Sequence, residues 1–76
     1  MSVAKYQIFL KTVECGSFTA AAREMNFTQS GVSHIVAAGE AELGLPLLKR
    51  TRTGARLTPE GEHLMPHIRA IVAEER

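Results

Sequence analysis

Apolar residues recur along the chain with two periods, and the change from one to the other sets out the fold. Tyr6, Phe9, Leu10 and Val13 stand at i, i+3, i+4 and i+7, the spacing that gathers side chains on one face of a helix. Gly16 follows where a left-handed cap ends such a helix, which predicts a first helix from about Ser2 to Cys15. After Ser17, an N-cap residue, Phe18, Ala21, Ala22 and Met25 repeat the spacing over a shorter stretch. The two alanines let a steeply crossing neighbour approach closely. Asn26 tolerates the left-handed turn that comes next. Thr28 then caps a third helix with Val32, Val36 and Leu43 on one stripe, Gly39 on that same stripe, and Gly44 as its end.

Beyond Gly44 the pattern shortens. "LPLLKR" and "ARLT" flank "TRTG", which reads as a β-hairpin with Gly54 supplying a positive φ at the turn. The last helix opens at "TPEGEHL", with Thr58 as N-cap, Pro59 in the first helical position, and Glu60 and Glu62 set favourably against the helix dipole. Its apolar positions Leu64, Ile68, Ile71 and Val72 make a narrow stripe close to the seam of a two-helix coiled coil. Pro66 removes one backbone hydrogen bond within it, which predicts a bend. The expected fold is therefore mainly α: a three-helix core plus a small two-stranded β-wing, followed by a long helix. Helix, helix, turn, helix, hairpin, helix is the winged helix-turn-helix order.

With 76 residues, one small domain is the ceiling. The net charge of +1 says little about a partner, but its distribution says more. Lys49, Arg50, Arg52 and Arg56 lie in "KRTRTGAR" with no acid among them, while the rest of the chain holds eight acids against five bases. The third helix, by contrast, has no lysine or arginine; the face opposite its apolar stripe carries Ser30, Ser33, His34, Ala37 and Ala41, with Gln29 at the border. No apolar run approaches the roughly 20 residues that span a bilayer, and no leader is legible at the N-terminus. A cytoplasmic location is expected. Cys15 is the single cysteine, so no internal disulfide forms.

"GSFTAAAREMNFTQSGVSHIVAAGEAELGLPLLKRTRTGARLTPEGEHLM" resembles the N-terminal DNA-binding domain of the LysR-type transcriptional regulators. The likeness runs from "GSFT" and the following alanines through "ELG" to "LTPEGE". It implies a bacterial regulator that binds double-stranded DNA at an inverted-repeat operator as a homodimer, third helix in the major groove and wing on the minor groove or backbone. Carried over by position, Thr28, Gln29, Ser30, Ser33 and His34 face the groove, and Arg50, Arg52 and Arg56 make backbone and wing contacts. Base reading needs donors and acceptors more than net charge, and the third helix supplies them; phosphate attraction is expected from the wing and from Arg23 or Lys5. The resemblance divides the chain into a winged domain at 1–58, with the helix-turn-helix at about 18–37 and the wing at about 47–57, and the start of a linker helix at 59–76. Dimerisation is expected through Leu64, Ile68, Ile71 and Val72. A small-molecule effector is expected only for a C-terminal domain that these 76 residues do not include, so they read as a piece of a longer protein.

Three positions depart from the family pattern. His34 stands where arginine is common, Ala37 where a basic or long polar residue is common, and Gly39 where leucine is usual. The first two predict weaker phosphate anchoring, and Gly39 in mid-helix costs about 1 kcal/mol relative to alanine before lost packing is counted. The competing reading is a winged helix that binds another protein, its polar face and basic hairpin merely solvated. Other chemistry has little support. His63 and His67 are four apart but lack a third and fourth metal ligand at a usual spacing. Cys15 has Glu14 rather than a cation beside it, unsuited to a reactive thiolate. No nucleophile elbow, phosphate loop or paired carboxylates accompany the Ser, His and Glu residues, so neither enzyme activity nor a cofactor is expected.

Overall fold

A computed structural model of the chain describes residues 2–74. The elements are α1 (Val3–Cys15), α2 (Phe18–Met25), α3 (Gln29–Leu43), β1 (Leu48–Thr51), β2 (Gly54–Leu57) and α4 (Pro59–Glu74). The expected winged helix-turn-helix order is present.

The helix ends form where the small polar residues and glycines allow. Ser2, Ser17 and Thr28 each accept a backbone N–H from the first turn of the helix that follows. Gly16, Asn26 and Gly44 close the three helices in the left-handed conformation, Asn26 being the one described non-glycine residue that adopts it. The core is a single cluster at the centre of the four helices and the hairpin base, in which Phe9, Leu47, Val32 and Ile68 are essentially sealed from solvent. Ala21 and Ala22 are buried where α2 meets α1 and α3, as their size requires. Thr12, off the apolar stripe of α1, is also fully buried; its hydroxyl donates to the Ile8 carbonyl at 2.9 Å, so its polar atom is satisfied within the helix.

The hairpin is antiparallel, pairing Leu48 with Leu57, Lys49 with Arg56, Arg50 with Ala55 and Thr51 with Gly54. Gly54 opens β2 instead of occupying the turn centre, which is Arg52–Thr53. Its φ is +150°, and a Cβ there would lie 2.0 Å from the Gly16 carbonyl oxygen. The Ala55 N–H donates to that same oxygen at 2.9 Å, so the wing is pinned to the α1–α2 corner. A second tie joins the base of the wing to α4. Thr58 caps the helix through the Gly61 N–H, donates its hydroxyl to the Pro46 carbonyl at 2.5 Å, and donates its N–H to the Leu47 carbonyl.

The seam expected on α4 is corrected in part. Ile68 and Val72 are 2% and 4% exposed, in the same cluster as Phe9 and Leu10. The reason is that α4 lies across α1 and fills its apolar face, leaving those two side chains nothing to offer a partner. Leu64 and Ile71 are only half-buried. The helix runs unbroken through Pro66. Met1 and residues 75–76, the outer ends of the two expected segments, lie outside the described residues.

Candidate nucleic-acid interface

The α2–α3 turn and the first two turns of α3 expose a run of polar side chains. Thr28 is engaged as the cap, its Oγ1 accepting from the Gly31 N–H at 3.0 Å and lying 3.4 Å from the Ser30 Oγ. Gln29, Ser30 and His34 are exposed and Ser33 is half-buried. Among the described residues no side chain but that cap bonds the first-turn N–H groups of α3, which favours an anionic neighbour at this end of the helix.

The wing cations divide between two faces, because side chains alternate along a strand. Arg50 shares its face with the buried Leu48 and therefore points toward the body of the domain. Its guanidinium carbon stands 4.2 Å from the centroid of the Phe18 ring, a cation–π stack. One arm of the guanidinium, Nη2, donates to the Ser33 hydroxyl. The Gln29 amide presents one corner to both guanidinium nitrogens at 3.1 Å. Since guanidinium only donates, that corner is the carbonyl oxygen, and it also accepts from the Ser33 hydroxyl at 3.0 Å. Arg50, Gln29 and Ser33 thus close a triangle that joins β1 to α3.

Lys49 and Arg56 face the other way, paired directly across the hairpin. Together with Val13, Leu57 and Glu62 they line a shallow depression. Two like charges opposite each other destabilise a hairpin unless an anion sits near them. Arg52 projects from the turn and is exposed. Among the described residues no carboxylate pairs with any of the four wing cations; the ion pairs belong to Lys5 with Glu42 and Lys11 with Glu14 and Glu24. The structure thus brings Arg50 to the polar face of α3, leaves Arg52 at the tip, and puts Arg56 on the opposite face of the wing.

The expectation for Lys5 is corrected. It donates to Glu42 at 2.5 Å, near the C-terminal end of α3 and about 20 Å along the helix axis from Gln29. That bond holds the Glu42 carboxyl below its ordinary value. Arg23, in the last turn of α2, remains exposed.

Two participants were missed in the sequence. Phe18, read only as a core residue, is the platform for Arg50. Glu40, to which the sequence pattern assigns no role, reaches from α3 to the chain entering β1, where Oε2 accepts the N–H groups of Leu47 at 2.6 Å and Leu48 at 3.0 Å. It fixes the wing relative to α3. The charged neighbour of Cys15 is also a different one: its thiol donates to Glu24 Oε2 at 3.1 Å. This bond pushes the thiol above its ordinary value, burial adding in the same sense, while the same bond and Lys11 lower the Glu24 carboxyl.

The family model of bacterial regulatory helix-turn-helix proteins, lysR family, matches residues 3–62. Over 73 residues the chain is 41% identical to the uncharacterized HTH-type transcriptional regulator YvbU of Bacillus subtilis (strain 168), covering 95% of this chain and 25% of that protein. Over 65 residues it is 46% identical to the probable HTH-type transcriptional regulator LrrA of Synechococcus elongatus, covering 86% of this chain and 22% of that one. The chain therefore spans about a quarter of the length of these relatives. Among solved structures, a CbnR DBD–DNA complex superposes with a TM-score of 0.91 at 29% identity, covering 99% of this chain and 86% of that one. A BenM DBD complex with benA site 1 DNA superposes at 0.89 and 30% identity, covering 97% and 83%. With the family match running from α1 into α4, the protein belongs to the lysR family of bacterial regulatory helix-turn-helix proteins.

Proposed function

We propose that this chain is the DNA-binding part of a bacterial transcriptional regulator and recognises a specific double-stranded sequence. The observation that carries the reading is the continuous surface made by the exposed polar start of α3 and the wing, joined through Arg50 and, among the described residues, without a carboxylate paired to a wing cation. In this reading α3 enters the major groove, where Gln29, Ser30, Ser33 and His34 meet base edges, and the Thr28 end and Arg50 lie along the backbone. Arg52 and Arg56 approach the adjacent minor groove or its phosphates. The DNA complexes of CbnR and BenM support it, since their folds superpose over nearly the whole chain.

The same reading takes residues 1–58 as the winged domain and 59–76 as the start of a linker helix. It makes the regulator a homodimer whose contact on α4 uses Leu64 and Ile71, the two seam residues that the core leaves half-buried. Exposed Leu45, with Pro59 and His63, extends the apolar surface beside Leu64. The role is binding and not catalysis, and the location is the cytoplasm; none of the described helices is long and apolar enough to cross a membrane.

Selection of bound duplexes from a random library at near-physiological salt tests the reading. Enrichment of an interrupted inverted repeat is the expected result. Recovery of unselected sequence would overturn specific recognition and favour a protein partner.

A further inference from the structure

We infer that Arg50 sets the base preference of Gln29 by holding its side-chain amide in one orientation, so that Gln29 reads keto bases in preference to amino bases. The inference rests on the reading above in which Gln29 faces the major groove.

A free glutamine is a versatile reader because its amide offers both an acceptor and donors. That combination matches adenine, which presents the N7 acceptor and the N6 donor side by side. In this structure the acceptor is already in use. The Gln29 oxygen takes the two guanidinium nitrogens of Arg50 at 3.1 Å and the Ser33 hydroxyl at 3.0 Å. Turning the amide over would set its NH2 against the guanidinium donors, so the triangle holds the orientation. Arg50 is itself held, stacked on Phe18 and bonded to Ser33. Ser33 is drawn in as well: its proton goes to Gln29 and a lone pair to Arg50, leaving it acceptor capacity only.

The Gln29 group left on the side away from Arg50 is therefore NH2, a donor without an acceptor beside it. In the major groove it finds a match in guanine O6 and N7 or thymine O4. Adenine offers it N7 alone, with the N6 amino donor opposed beside it, and cytosine offers only its N4 amino donor. Arg50 acts here as a positioning residue, distinct from its role as a cation near phosphate.

The two roles separate by experiment. Competition binding with duplexes varied one base at a time, on the full 76-residue chain, first identifies the position whose preference collapses in Gln29→Ala. Wild-type protein is expected to favour guanine or thymine there by roughly tenfold over adenine or cytosine. Arg50→Met keeps an apolar stem over Phe18 and removes the donors. It is expected to lower affinity for every duplex alike and, at that one position, to shrink the keto preference to within about threefold, with adenine gaining most because a freed amide can pair with it twice. Thermal melts by circular dichroism confirm that both variants are folded.

An amino preference in the wild type, or a keto preference unchanged in Arg50→Met, would overturn the inference while leaving groove reading intact. If Gln29→Ala alters no position, groove reading by Gln29 itself fails, and the inference with it. In free protein, side-chain amide NMR resonances of Gln29 are expected to shift in Arg50→Met; identical resonances would show that the triangle does not hold the amide in solution.

Discussion

Replacing Glu40 by alanine tests whether one carboxylate anchors the wing. The side chain satisfies the N–H groups of Leu47 and Leu48, and both of those residues are buried. A buried N–H stripped of its partner costs about 1–3 kcal/mol. Glu40 itself is only half-buried, so water relieves part of the loss, and we expect about 2–4 kcal/mol for the pair. Glu40→Gln keeps an acceptor at the same place and loses only the charge assistance, about 1 kcal/mol. A domain of this length has roughly 4–11 kcal/mol in total, and each kcal/mol moves the midpoint by about 4–8 °C. Alanine should therefore lower Tm by at least about 8 °C and glutamine by clearly less. Thermal and urea unfolding followed by far-ultraviolet circular dichroism measure both. If alanine loses no more than about 0.5 kcal/mol, the range of an unremarkable surface change, or if alanine and glutamine behave alike, the carboxylate does not anchor the wing.

The glycines should rank by what surrounds them. Gly16→Ala meets nothing within 4 Å and suffers only its φ of +78°, about 1–2 kcal/mol, whereas Gly54→Ala and Gly61→Ala drive a Cβ to 2.0 and 2.3 Å from carbonyl oxygens and should lose about 3 kcal/mol or more; equal losses at all three in urea unfolding would contradict the packing. The Glu24 bond keeps Cys15 protonated to higher pH, so Glu24→Gln should quicken its alkylation by iodoacetamide near pH 8; an unchanged rate would remove that bond from the account. The carboxyls of Glu24 and Glu42 are lowered by Cys15 with Lys11 and by Lys5, so their contribution is present above about pH 4.3, the unfolded value, and is lost as pH falls through the lowered native values. A double variant with glutamine at both positions should flatten the acid limb of Tm against pH, and a limb of wild-type steepness would refute it.

The helices and their ends were legible because each rests on local chemistry. Ser17 and Thr28 cap, Gly16 and Gly44 take the left-handed turn, and apolar side chains recur at 3.6. What local pattern does not carry is which element lies on which. The stripe on α4 reads as a dimer seam in isolation, yet α1 also needs its apolar face covered, and Ile68 and Val72 go there. Long side chains were harder still. Arg50 could have been separated from Arg56 in the sequence, since it alternates in phase with Leu48 and not with Lys49. Its meeting with Phe18, Gln29 and Ser33 depends on the wing being pinned to the α1–α2 corner, within reach of the starts of α2 and α3. Glu40 gives no sequence signal and Lys5 a misleading one for the same reason: each is committed by a partner seven or more positions away. Gly54 was read for its turn, whereas its smallness against the Gly16 carbonyl is a tertiary requirement.

The central claim is that duplex DNA is held jointly by the start of α3 and the wing. It is tested most directly by measuring binding to one selected duplex across a range of salt concentrations, for the wild type and for the Arg52→Ala, Arg56→Ala double variant. Each phosphate contact contributes about 0.9 to the slope of log K against log salt, so losing two from each protomer of the dimer should reduce the slope by about 3.6 and weaken binding most at low salt. An affinity and slope equal to the wild type's would show that neither Arg52 nor Arg56 touches the DNA, and would contradict joint holding by α3 and the wing.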